Sequence, residues 1–180
     1  MAQVIIVGDG PGGLSAALFL AKNGHEVTVF GQDKTAMHYA EIHNYLGIPE
    51  IAGTQFQEIA REQVTGFGAS LVNDQVTAVK VGDRIEVTAS AQTAEADYLI
   101  LTEGKNPVLA ASLGLVEEEK VVVDAAYRSK LDRVYVVGRS VRPTRSQAII
   151  SAGAGAVAAL DILAREEGKD VQDWDTPPKD

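Results

Sequence analysis

The chain has 180 residues, 46% of them hydrophobic and 23% charged, with a formal net charge of −9 and no cysteine. That length suits one domain able to bury a sizeable core, and the negative charge argues against nucleic acid and anionic membranes as partners. The lack of cysteine excludes disulfides, a catalytic thiol and any thiolate metal site.

The first element is read from Val4-Ile5-Ile6-Val7, a short run of β-favouring apolar residues. It is too short for a signal-peptide core and has no basic residue before it, so a cytoplasmic protein is expected. Gly8, Gly10 and Gly13 then spell G-x-G-x-x-G, and Leu14-Ser15-Ala16-Ala17 begins a helix pattern. A glycine loop between a strand and a helix is the context in which this motif binds a dinucleotide. Gly8 permits the tight turn, Gly10 leaves room for a pyrophosphate, and Gly13 lets helix and strand pack closely. Pro11 and Gly12 belong to the same loop, which aims the helix N–H groups at phosphate.

Asn23-Gly24 stops the helix, and Glu26-Val27-Thr28-Val29-Phe30 is a second strand. In a βαβ unit of this kind an acid after the second strand hydrogen-bonds the adenosine ribose. Here Gly31 stands in that place, followed by Gln32, Asp33 and Lys34. Asp33 or Gln32 is the candidate substitute, and with Lys34 nearby an NADP-binding reading stays open.

Residues 35–53 show no clean period and read as a long loop with room for one helical turn, a kind that tends to be functional. Residues 54–67 read as a helix capped by Thr54, with Phe56, Ile59, Ala60, Gln63 and Phe67 at one-face spacings. Residues 70–72 form a short strand. From Gln75 the period changes to two, with a turn at Gly82-Asp83, predicting an antiparallel meander over residues 76–96. Tyr98-Leu99-Ile100-Leu101-Thr102 suits a central parallel strand and ends in Glu103-Gly104-Lys105-Asn106-Pro107.

Two further strands are expected at residues 121–124 and 134–137. Arg139, Arg142 and Arg145 follow, just before a long small-residue helix over residues 146–167. Arginine forks match phosphate, so they mark an anion site, unless they form a solvated loop paired to nearby carboxylates. That helix is not read as a membrane span, because its apolar half is short and Asp161 interrupts it. Its Gly153 and Gly155 serve either close packing or the approach of a cofactor. Residues 168–180 read as a frayed tail, with Trp174 exposed or docked on a subunit.

Taken in order, the Gly8–Gly13 fingerprint, His43-Asn44-Tyr45-Leu46-Gly47, the meander, Thr102-Glu103-Gly104, and Val137-Gly138-Arg139 leading to Gln147-Ala148 resemble the FAD domain of thioredoxin reductase. The resemblance implies an α/β, three-layer FAD/NAD(P)-binding Rossmann-like fold, a parallel sheet with an antiparallel β-meander. It implies FAD as cofactor, Asn44 near the flavin, and Gln147 and Ala148 presenting backbone amides to its ring. It also places Gly138 and Arg139 at the ribitol and adds Val76, Thr102 and Gly104 to the cofactor contacts.

The sequence departs from that family in three ways. Thr102 to Pro107 runs together two motifs between which the family inserts an NADPH domain, so residues 1–167 are expected to form one FAD-binding domain with its junction near 102–107. The redox cysteine pair is absent. Gly31 replaces the ribose acid and Arg139 the ribitol Asp. The expected protein is a small flavin-dependent oxidoreductase, or a flavin subunit, whose electrons come from a protein redox partner docking over residues 39–46 or from a small reductant. The alternatives are a non-catalytic nucleotide-binding or interaction protein and an NADP(H)-binding domain. A homodimer is kept as the assembly, and no nucleic acid or membrane is expected as partner. His25, His38 and His43 are too scattered for a metal site, and no G-x-S-x-G elbow supports a serine nucleophile. His43 is either an acid or base near the flavin or a structural histidine.

Overall fold

The computed structural model describes residues 1–177. In chain order it contains β1 (Gln3–Val7), α1 (Pro11–Lys22), β2 (Glu26–Phe30), β3 (Glu41–Ile42), β4 (Ile51–Ala52), α2 (Gly53–Gly66) and β5 (Ser70–Val72). The meander β6 (Val76–Val81), β7 (Ile85–Ala89) and β8 (Thr93–Ala96) follows, then β9 (Tyr98–Leu101), α3 (Val108–Ser112), β10 (Val116–Glu117), β11 (Lys120–Val121), β12 (Val134–Val136) and α4 (Ala148–Glu167). Short 3₁₀ turns occupy Ala36–Tyr39 and Gly138–Ser140.

Five strands form a parallel sheet in the order β12-β9-β1-β2-β5. Strand β1 lies at its centre, with Val4 opposite Val27 on one side and Tyr98 on the other. Alternate side chains of a strand point to opposite faces, and β1 divides accordingly. Val4 and Ile6 join the core under α1 and α4, while Ile5 and Val7 join the core under the meander. Strand β9 divides the same way, with Tyr98 and Ile100 facing the helices and Leu99 and Leu101 facing β7. A strand covered on both faces must be apolar throughout, which is why β9 reads as an unbroken hydrophobic run. Each such aliphatic side chain contributes about 1.5–3 kcal/mol by leaving water. The fold is therefore the expected three-layer α/β arrangement of parallel sheet and antiparallel meander.

Helices α1 and α4 pack backbone to backbone. A side chain at Gly155 would overlap the carbonyl oxygen of Gly12, so the glycine inside α4 serves close packing. Gly153 faces open space. Helix α4 is long and apolar enough to cross a membrane by composition. In the fold, Ala154, Ala158, Ala159, Ile162 and Leu163 bury its inner face in the same core as α1. Asp161, which interrupts its apolar run, accepts from the Tyr135 hydroxyl and from Arg128 Nε, each at 2.6 Å. Arg128 and Tyr135 together hold the Asp161 carboxyl below the usual carboxylate range, against the opposing effect of its burial.

Three local expectations are corrected. Residues 121–124 do not form a sheet strand; Lys120–Val121 pairs antiparallel with Val116–Glu117 as a small hairpin, because β12 already occupies the sheet edge beside β9. Helix α2 buries Gly53, Gln57 and Val64, leaving Ile59 and Phe67 about half exposed. Val64 and Ala60 meet the apolar core under α1, while Gln57 is turned inward to the glycine loop, where its Nε2 donates to Asp9 O. The third concerns residues 35–53, where the helical turn, a 3₁₀ turn over Ala36–Tyr39, is joined by the β3–β4 hairpin, which was not expected.

Past α4 the chain turns back toward α1. Lys22 Nζ donates to Asp173 over 3.0 Å and also pairs with Asp175, and Val171 packs on the helical core. Trp174 is 83% exposed. The remaining tail residues, 178–180, lie outside the described residues.

Candidate functional site

A cavity of about 880 Å³ opens at the carboxyl ends of the parallel strands, where open α/β sheets bind their ligands. Strand β1 delivers the chain to Gly8, whose φ of +109° turns it sharply into the loop. A side chain at Gly8 would overlap Thr102 O, and one at Gly13 would overlap Gly8 O. Gly10 is different: it lines the cavity, and a Cβ there would meet nothing within 4 Å. Helix α1 starts immediately afterwards with Pro11 as its first residue, no side-chain cap and no acid in its first turn. Its free N–H groups and positive dipole end are thus left for an anion.

The other candidate residues arrive from six more places. Gly8, Gly10, Pro11 and Gly12 line the cavity from the loop, and Gln32 lines it from the end of β2. Thr102 and Gly104 line it beyond β9, and Val76 from the start of the meander. Gly138 and Arg139 enter from the turn after β12, and Gln147 and Ala148 from the start of α4. Asn44 reaches in from the loop before β4, and its Nδ2 donates to Gln147 Oε1 over 3.0 Å. Gly13 sits behind the loop as a packing residue. Asp33 does not line the cavity: its carboxylate turns to His38 Nε2 at 3.0 Å. His43 is exposed and outside the lining.

The arginine cluster separates in space. Arg139 alone lines the cavity, and its buried Nε has no hydrogen-bond partner among the described residues. Arg142 and Arg145 are exposed and do not line it. Lys34 and Lys105 add two further cationic groups to the walls. Glu103 lines the cavity too, and its two carboxylate oxygens accept from Leu109 N at 2.7 Å and Ala110 N at 3.0 Å. Burial pushes the Glu103 carboxyl above its ordinary range, while the α3 amides oppose the shift.

Sequence reasoning missed one group of residues. Asp9, between the first two glycines of the fingerprint, is 4% exposed and forms an ion pair with Arg61 of α2. Its Oδ2 also accepts from Asp33 N over 2.9 Å, and its backbone oxygen accepts from Gln57 Nε2. A Cβ on Gly31 would overlap the Asp9 carboxyl group. The readable signal was an acid inside the glycine loop of a chain lacking one after its second strand.

The geometry agrees with comparisons to known proteins. The profile of the family described as "Pyridine nucleotide-disulphide oxidoreductase" matches residues 2–111. A thioredoxin reductase of Streptomyces coelicolor is 36% identical over 124 residues, 65% of this chain and 38% of that protein. One from Peptoclostridium litorale is 31% identical over 148 residues, 76% of this chain and 46% of that protein. The chain thus covers less than half the length of these relatives. Among solved structures, a thioredoxin reductase from Gloeobacter violaceus superposes with a TM-score of 0.86 at 17% identity, covering 97% of this chain and 99% of that one. A ferredoxin-flavin thioredoxin reductase from Clostridium acetobutylicum gives 0.80 at 18% identity, covering 93% of this chain and 99% of that one. With the profile over more than half the chain and the fold in agreement, the chain belongs to the pyridine nucleotide-disulphide oxidoreductase family in its thioredoxin reductase-like form, here without a redox cysteine pair.

Proposed function

We propose that the chain binds FAD in this cavity and serves as a small flavin-dependent oxidoreductase, or as the flavin subunit of one. The observation that carries the reading is the open backbone at Gly10, facing a large cavity in front of an uncapped helix. Gly10 leaves the space, and α1 supplies the amides, that a pyrophosphate requires. Arg139, which also lines the cavity, adds a positive charge that suits a phosphate. At the far end, Asn44 and Gln147 are held together where the flavin ring is expected. When bound, FAD supplies the electron transfer, and the protein supplies position, charge and exclusion of water.

Electrons come from outside the cavity in this reading. The chain passes from Thr102 to Pro107 in one turn, and no second glycine fingerprint follows a later strand. A nicotinamide therefore has no preorganised place from which to stack on the flavin, and productive encounters are rare. A protein partner or a small reductant takes that role.

The test is titration of the purified protein with FAD, followed by anaerobic mixing with NADPH or with dithionite. The expected result is a saturable flavin spectrum that dithionite bleaches and NADPH leaves oxidised on the timescale of ordinary turnover, about 1–1000 per second. Fast bleaching by NADPH overturns the external electron source. Failure to bind FAD overturns the flavin reading and leaves a nucleotide-binding protein without redox work.

A further inference from the structure

We propose that the ribose-recognising acid of this dinucleotide site has moved from the end of β2 to the phosphate loop, and that Asp9 fills the role. The inference rests on the dinucleotide reading above and specifies which dinucleotides the cavity accepts. In a βαβ unit the acid after the second strand bonds the hydroxyls of the adenosine ribose. Gly31 occupies that position and carries no side chain. A Cβ built on Gly31 would lie 2.6 Å from Asp9 Oδ1. A carboxylate oxygen lies about 2.4 Å from the Cβ of its own aspartate, by ordinary bond lengths. Asp9 Oδ1 is therefore at the distance where an acid at position 31 would hold its own oxygens.

The two positions are mutually exclusive. A side chain at residue 31 would overlap the Asp9 carboxyl, so an acid at position 9 requires the glycine at position 31. The hydrogen bonds of Asp9 also divide by oxygen. Oδ2 is engaged by Arg61 and by Asp33 N, whereas Oδ1 accepts no hydrogen bond from the described residues. Asp9 lines the cavity. One oxygen thus anchors the side chain, and the other is left to accept from a ligand hydroxyl. Arg61 is committed to the anchor, which removes it as a 2′-phosphate ligand.

The chemistry has a direct consequence for specificity. A carboxylate accepts from a ribose diol and repels a 2′-phosphate, so the site selects unphosphorylated adenosine ribose, the class of FAD and ADP-ribose, over the NADP class. Lys34, also on the cavity wall, is the group that would favour the opposite outcome.

The experiment is calorimetric titration of the native protein with FAD, ADP-ribose, 2′-phospho-ADP-ribose and an ADP-ribose analogue lacking the adenosine ribose hydroxyls. Hydrogen bonds to charged groups predict that the last two bind about 10-fold or more weakly than ADP-ribose. In Asp9→Asn the discrimination against the 2′-phosphate should collapse to about threefold or less, because the repelling charge is gone. The native measurement stands alone if that variant fails to fold. Equal or tighter binding of 2′-phospho-ADP-ribose by the native protein overturns the inference, as does undiminished discrimination in a folded Asp9→Asn. Discrimination among the ADP-ribose ligands without FAD binding sinks the flavin reading and leaves Asp9 in its role. FAD binding without discrimination does the reverse, and binding of none of the four removes both.

Discussion

Asn44 Nδ2 and Gln147 Oε1 are 3.0 Å apart, a hydrogen bond between residues 103 positions apart in the chain. It ties the loop before β4 to the residue that precedes α4. Both residues line the cavity, so the bond fixes one wall rather than the core. Asn44→Ala is expected to cost less than about 1 kcal/mol of stability, as an exposed neutral hydrogen bond does. FAD affinity should fall more visibly, by about three- to tenfold, because the freed loop must be ordered again on binding. Titration with FAD beside a denaturant midpoint checks both; a large stability loss with unchanged affinity would make the pair structural.

The glycines of the fingerprint should respond in opposite ways. Gly10 has an ordinary φ of −77° and free space where a side chain would project. Gly10→Val should therefore fold and lose most affinity for the dinucleotide. Gly13→Ala drives a methyl group into Gly8 O. Overpacking of this kind costs about 1–3 kcal/mol, and rigid backbone on the other side puts the cost at the upper end. Circular dichroism melts separate the two, since only the second should lower the midpoint strongly.

Arg139 is expected to act through charge. Arg139→Ala should weaken dinucleotide binding about 10-fold at low salt, the range for a charge-assisted hydrogen bond to phosphate. Added salt screens an accessible pair, so the native affinity should fall with ionic strength and that of the variant should fall less. Arg142→Ala, away from the cavity, serves as the control. Identical salt slopes in native and Arg139→Ala proteins would count against the phosphate contact.

His25 gives the fold a pH dependence remote from the cavity. Its Nδ1 accepts from the backbone N–H of Ala2 over 3.1 Å, which requires the neutral ring. Burial, and after it the charged N-terminus, lowers its pKa below the ordinary 6.5. The unfolded chain therefore binds the proton more readily than the folded one. Stability from this group is complete above pH 6.5 and is lost as the pH falls from there toward the folded pKa. Denaturant midpoints at pH 7.5 and pH 5.5 should show the loss, and His25→Gln should flatten that part of the profile.

Much of this molecule could be read along the chain. The Val4–Val7 run, the glycine loop after it and the period-two stretch from Val76 carry local signals strong enough to specify strand, phosphate loop and meander. Backbone conformation at Gly8 and Gly13, and alternation along β6 to β8, depend on near neighbours, and near neighbours are what a sequence displays. The inward face of α2 was misread because Gln57 is buried by a loop 48 residues away, not by a partner within the helix. Arg139, Arg142 and Arg145 looked alike as a string, and only the turn after β12 points one of them at the cavity. The same holds for Gly31 and Asp9. The sequence alone determines that an acid is missing after the second strand. That Asp9 stands in its space is decided by tertiary structure, because parallel pairing of β1 with β2 brings the ends of both strands side by side, and two side chains cannot share one volume.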